Sequence, residues 1–275
     1  MYDHCRIFVI FLLLAFVPEV KAAEFLPPSH HELHIPIGIF NEEQSGILFR
    51  DSARAWGLLG GDLALWGGNL GNTPYQVVLS TMLWASWREQ SFFLAFLTET
   101  FDIRMALLMD IAFSKQLRLS AGLQHLSGHT ADSVQDPSLV PLDVGDEVLQ
   151  ARVTADPWPW LRIGATAKPI FISSPQVGWL GLDQFCEIFP WGGPLPHTST
   201  LPYLAAGLEQ VDWGSVELNA HIQAGLLWGN HLAPVHASQA RVVLGAYSGM
   251  DPRLKYAMYL HTHVQFVYVG GIVKF

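Results

Sequence analysis

The chain has little charge. Asp, Glu, Lys and Arg make up 14% of its 275 residues, while 50% are hydrophobic, a balance too apolar for an ordinary exported soluble protein. Basic residues are the scarcer sign, fifteen against twenty-four acids, a formal net charge of −9. Nothing in that balance would neutralise phosphates, so nucleic acid is not an expected partner. Cysteine is almost missing: only Cys5 and Cys186 occur. Past residue 22 no run of eighteen apolar residues is found, so spanning helices are not expected. Nor is there a phosphate-binding glycine loop, a CxxC, a nucleotide fingerprint, a fixed-period repeat or a low-complexity tract. No cofactor is implied.

The N-terminal segment reads as an export signal. His4 and Arg6 precede an apolar run from Ile7 to Val17, Pro18 ends it, and Val20-Lys21-Ala22 offers small residues to a signal peptidase. The run is too short to cross a bilayer as a helix. Residues 1–22 are therefore expected to be removed. Cys5 lies before the apolar run and cannot be a lipid attachment site, and Cys186 alone cannot form an internal disulfide. Packing and hydrogen bonds must hold the mature chain.

The chain is apolar on average yet never continuously so, and this fits strands with one lipid face and one inner face. Alternation can be counted. Leu117, Leu119, Ala121 and Leu123 oppose Arg118, Ser120, Gly122 and Gln124; Leu149, Ala151 and Val153 oppose Gln150, Arg152 and Thr154; Val216 to Leu226 alternates over eleven residues. Strands of ten or more residues suit a tilted membrane strand better than a soluble sandwich. Ten Trp and seven Tyr could supply interfacial girdles. The expected fold is an all-β, antiparallel up-and-down transmembrane β-barrel of twelve strands, with ten as the alternative. The strands are placed near 54–66, 75–87, 91–100, 102–113, 116–128, 146–156, 159–172, 201–211, 215–228, 239–248, 253–261 and 264–275. Residues 23–53 would form a periplasmic lead-in or plug, and 54–275 the barrel. With both ends in the periplasm, the long connections 129–145, 173–200 and 229–238 should face outside. The short ones at 88–90, 114–115 and 212–214 should face the periplasm.

The last residues, Val264 to Phe275, end on an aromatic, with Val273, Val269 and Val267 on its face. With Phe275, Val273 and Gly270 as its signal, this segment resembles the terminal strand by which outer-membrane barrels are recognised by their assembly machinery. That resemblance implies the Gram-negative outer membrane as location, with its lipid, lipopolysaccharide and the assembly machinery as partners. The stretch QLRLSAGLQHLSGHTADS at 116–133 and RVVLGAYSGMDP at 241–252 resemble a family of uncharacterised Gram-negative outer-membrane proteins. Its members carry His-x-Ser-Ser-His-x-Gly-Asp and Tyr-x-Gly-x-Ser-Pro motifs. His125, Ser127 and His129 match the first, with Asp132 one place later than the motif's Asp. Tyr247, Gly249 and Pro252 match the second. The resemblance implies a barrel and no particular activity.

Three readings of function follow. The first is a narrow or plugged barrel with a structural or binding role. The second is a hydrolase of lipid A acyl chains in the outer leaflet. His125, Ser127 and His129 continue the lipid-facing set at the end of an upward strand, and Glu147 opens the next strand with matching parity. Ser needs a base to act as a nucleophile, and His needs an orienting carboxylate to serve as that base. The location resembles that of lipid A deacylases. Ser127 would be the nucleophile, His125 or His129 the base and Glu147 the orienter. The third reading is a small anion-preferring pore lined by Arg104, Arg118, Arg152, Arg162 and Lys168. The competing expectation is that these pair with Asp102, Asp110 and Glu217 and fill the lumen. His125, His129 and Asp132 could also hold zinc. His30, His31 and His34 lie in a proline-rich stretch and point to no specific site.

Overall fold

A computed structural model describes residues 44–51, 54–91, 95–114, 116–131, 144–175, 178–191, 200–212, 215–228 and 239–274. Twelve antiparallel strands run in chain order: β1 (Gln44–Asp51), β2 (Arg54–Leu70), β3 (Thr73–Ser91), β4 (Ala95–Ala112), β5 (Leu117–Thr130), β6 (Val144–Trp158), β7 (Leu161–Ser174), β8 (Leu180–Ile188), β9 (Thr200–Asp212), β10 (Val216–Trp228), β11 (Gln239–Met250) and β12 (His263–Lys274). Each pairs with its neighbours in the chain. β1 also pairs with β12, from Gln44 opposite Lys274 to Phe49 opposite Val269, so the sheet closes on itself.

The expected count of twelve holds, but its members differ. The barrel begins at Gln44 rather than at 54, so part of the supposed lead-in is a strand. The segments 91–100 and 102–113 are one strand, β4, bent by a bulge where the pairing shifts between Ser86 and Trp87. β8 lies inside the supposed loop 173–200. Residues 253–261 are not a strand: Leu254–Leu260 is a short helix, α1. Leu254, Tyr256 and Met258 alternate as in a strand, but 254, 257 and 258 also have the helical spacing, and the segment turns into the barrel mouth instead of crossing it.

These changes also move the connections. Those at 52–53, 92–94, 131–143, 175–179, 213–215 and 251–262 lie at one end, which we call the distal end. Those at 71–72, 113–116, 159–160, 189–199 and 229–238 lie at the other, with the barrel's two chain ends. Residues 88–90 are not a connection but part of β3, whose turn to β4 lies at 92–94; that turn and 212–214 do not share an end with 114–115, and 229–238 is not distal. Long and short connections occur at both ends.

The faces alternate as a membrane barrel requires. Leu123, Leu149, Ile163, Ile222, Leu244 and Val267 point outward and are exposed. At the chain-end rim the outward Trp158 and Trp160 stack with centroids 5.3 Å apart, and Trp191 is exposed near by; Trp179 is exposed at the distal rim. Such girdles suit the headgroup level.

Inward residues are buried although most are polar, because they fill the lumen themselves. Arg162 donates to Asp156 at 2.7 Å and to Glu187 at 3.3 Å. Lys168 lies 2.6 Å from Asp183 and 3.5 Å from Glu209, and Arg241 lies 3.6 Å from Glu187. On the β8–β12 side the filling is apolar, built on Phe185, Phe189, Tyr203, Leu227, Tyr247 and Tyr268.

Helix α1 closes the distal mouth. Leu254 and Met258 pack on Val144, with Leu126 against them. Leu254 donates its backbone N–H to Asp102 at 3.3 Å. Arg253 holds Asp251 at 2.6 Å and Glu99 at 3.1 Å. Burial alone would lower the Arg253 pKa, but the hydrogen bond and charge of Asp251 and the charge of Glu99 outweigh it and raise it. Arg253 is a fixed cation.

Candidate functional site at the distal rim

The last residues of β5 and the first of β6 set the site. In β5, Gln124 and Gly128 are buried, while Leu123, His125, Ser127 and His129 face out. In β6, Asp146 and Val148 are buried, while Glu147 and Leu149 face out. Register then decides proximity. His125 is directly opposite Glu147, and Ser127 directly opposite Gly145. The His125 Nδ1 and Glu147 Oε1 atoms are 3.0 Å apart, with 44% and 31% of their side chains exposed. A carboxylate on Nδ1 fixes the imidazole with Nε2 free to act as a base.

Ser127 lies two residues farther toward the rim on the same face, one strand repeat from His125. Its Oγ is 3.3 Å from His129 Nε2. The two histidines thus divide the partners: His125 holds the carboxylate and His129 holds the hydroxyl. Gly145, opposite the serine, carries no side chain, so the surface beside Ser127 is notched; a Cβ there would lie 3.3 Å from the Leu126 carbonyl and 3.9 Å from His125 Cε1. Below the pair, Leu107, Leu123 and Leu149 form one outward cross-strand row. Met105 and Ile172 extend the row of His125 and Glu147 to either side. A polar cluster at the rim therefore stands above an apolar wall.

The inner face of the same strands is clamped. A Cβ on Gly128 would sit 2.9 Å from Asp102 Oδ1 and 3.1 Å from Leu254 Cβ, so the glycine is what lets α1 dock behind Ser127. Ser173 donates to Asp146 at 2.6 Å, next to Glu147.

The residues singled out as lumen charges face inward on β4 to β7. Arg104 donates to Ser80 at 2.5 Å, Asp110 accepts from Gln76 at 3.2 Å, and Arg152 donates to Thr166 at 3.0 Å. Arg118 is half-buried on the inward face of β5. Glu217 is a rim residue, 3.0 Å from His263 and accepting from Ser215 at 2.6 Å. The acids that do pair with Arg162 and Lys168 are Asp156, Asp183, Glu187 and Glu209, none of which was singled out. Asp183 and Glu187 both lie on β8, and their signal was Asp and Glu at a spacing compatible with period two within 180–188.

Val273 pairs with Ser45 and Ala240, and Gly270 with Leu48 and Val243, so the terminal segment is the closing strand; Phe275 lies outside the described residues. So do the leader, His30, His31, His34 and Asp132. Among the described residues no group of three metal-ligating side chains occurs.

No protein-family model matches the chain, and no curated protein matches its sequence. Solved structures do match. Outer membrane phospholipase A from Escherichia coli aligns at a TM-score of 0.56 and 12% identity, over 86% of this chain and 93% of that one. The outer membrane phospholipase of Salmonella typhi, solved as a dimer with bound calcium, gives 0.56 and 12%, over 86% and 91%. An active-site mutant of the Escherichia coli enzyme gives 0.54 and 13%, over 89% and 94%. At such identities the likeness is one of fold: this chain has the fold of outer-membrane β-barrels.

Proposed function

We propose that this chain resides in the Gram-negative outer membrane and hydrolyses an acyl ester of an outer-leaflet lipid at the distal rim. The observation that carries the reading is the 3.0 Å contact of His125 Nδ1 with Glu147 Oε1 on the lipid-facing surface, with Ser127 on the same face. On a lipid-facing surface a polar cluster has no packing role to fill. The structural likeness to phospholipases supports a barrel able to host such a site.

In the reaction, His125 Nε2 takes the Ser127 proton as Oγ attacks the ester carbonyl. The carbon–oxygen bond to the alcohol breaks, and His125 returns the proton to the leaving oxygen. Water then attacks the acyl-serine, giving its proton to His125, and the fatty acid leaves as Ser127 is re-formed. Glu147 holds the ring and stabilises the imidazolium. For this, Ser127 Oγ must turn from His129 toward His125, a side-chain rotation about one bond. The bilayer chain would lie along the Leu107–Leu123–Leu149 row, with the ester at the notch above Gly145.

The test is mass spectrometry of lipid A and of phospholipids from outer membranes with and without the protein, beside Ser127→Ala. A missing acyl chain on either lipid that depends on Ser127 supports the reading and identifies the substrate. A second reading, a closed barrel without chemistry, is favoured by one contact, Ser127 with His129 rather than with His125. Unchanged lipids in every sample would select it. The buried, paired lumen residues weigh against an open anion pore.

A further inference from the structure

At the distal mouth, away from the outward-facing serine, three arginines converge on one carboxylate. Glu99 is fully buried at the β3–β4 bulge. The pairing shift leaves it between Thr98 and Thr100 without a partner in the register, and its side chain meets Arg54 of β2, Arg88 of β3 and Arg253 before α1. Bulges commonly re-aim a side chain in this way. Among the described residues only Arg253 makes a hydrogen bond to it, at 3.1 Å.

Arg54 and Arg88 are placed differently. They stand directly opposite each other across β2 and β3, where like charges repel. Among the described residues Glu99 is their partner, at 3.6 and 3.7 Å, too long for a hydrogen bond. Among the described residues the Nε atom of each is buried and lacks an acceptor. Both side chains nevertheless reach the mouth, 26% and 31% exposed. The described ion pairs of Arg54 and Arg88 are those to Glu99, which Arg253 shares, while Asp51 stands opposite Arg54 in the β1–β2 register.

We propose that the Arg54–Arg88 pair is a binding site for a phosphate-type oxyanion. Such a group would place negative charge against two facing guanidinium groups. It also carries enough acceptor oxygens to meet both guanidinium groups at once, which Glu99 does not do. The oxyanion comes either from free phosphate or from a phosphate of lipopolysaccharide. The site needs only the barrel mouth and does not depend on hydrolysis at Ser127.

The test uses the full mature barrel refolded in a zwitterionic detergent, with folding followed by heat-modifiable gel mobility. Labelled inorganic phosphate is measured by equilibrium dialysis. Binding to lipopolysaccharide vesicles is measured against phosphatidylcholine vesicles. Saturable phosphate binding is expected, weakened by salt. Arg54→Gln with Arg88→Gln should lower the affinity by about tenfold or more, while Glu99→Gln, which removes a competing carboxylate, should raise it. Binding of lipopolysaccharide but not of free phosphate, lost in the double variant, would assign the oxyanion to the lipid headgroup. No saturable binding of either by the wild-type protein overturns the site. So does binding that a folded double variant retains in full, or a loss of affinity in folded Glu99→Gln.

Discussion

The outer and inner faces of β5 and β6 treat polar side chains in opposite ways. Inside, the polar residues are buried, and several are held by partners: Arg152 by Thr166, and Asp102, on the neighbouring β4, by the N–H of Leu254. Outside, a few polar residues are gathered at one rim, half exposed, above a wall of leucines. A buried charge must be paired to be tolerated, so the inner pattern is what any filled lumen demands. No such demand exists on the outer face. Polar residues there report on what the surface contacts, and this difference separates the candidate site from the many charged residues around it.

That contrast can be broken experimentally. The largest effect is expected from the outer face: Ser127→Ala should lower acyl release from lipid vesicles by about a thousandfold with thermal stability unchanged. Glu147→Gln should lower it by roughly a hundredfold, because the histidine loses the charge that steadies its imidazolium form. The inner face should show the reverse. Arg162→Ala takes the cation from Asp156 and leaves Glu187 only the more distant Arg241, and is expected to cost about 3–5 kcal/mol in urea unfolding while leaving turnover per folded molecule intact. Gly128→Ala joins the two faces: its Cβ would press on Asp102 and Leu254, costing about 1–3 kcal/mol and displacing the strand that carries Ser127. Turnover per folded molecule that equals the wild type would show that the inner clamp does not position the site. Finally, the wild-type protein in planar bilayers should pass no steady current, since its lumen is occupied by its own side chains; a sustained current would contradict that packing.

What could be read from the sequence followed the same divide. β5, β6, β7 and β10 were legible because their apolar and polar residues alternate without interruption, and the outward parity of His125, Ser127 and Glu147 came with them. β8 was hidden because Gln184 interrupts its outward set and proline and glycine crowd its flanks. Missing it meant missing Asp183 and Glu187, the acids that neutralise Lys168 and Arg162. β4 was split because the bulge at Glu99 breaks the alternation, and the same bulge hid the residue around which the arginines gather. The helix was read as a strand because seven residues are too few to separate a period of two from one of 3.6. The pairing of Ser127 with His129 was beyond parity altogether, since side-chain torsions decide it.

The pairing of β1 with β12 has a consequence for the birth of the molecule. Gln44 must find Lys274, nearly the whole chain away, before the sheet has no open edge. Until then two rows of unpaired peptide groups face the surroundings, and in hydrocarbon each such group is costly. Contacts so remote in sequence form slowly. The helix that backs Ser127 belongs to the connection just before that last strand, so it docks only with the arrival of the C-terminal residues. A ribosome that stops early releases a ribbon with two adhesive margins and an unsupported rim. The architecture is therefore all-or-none, and no partial chain can close the sheet.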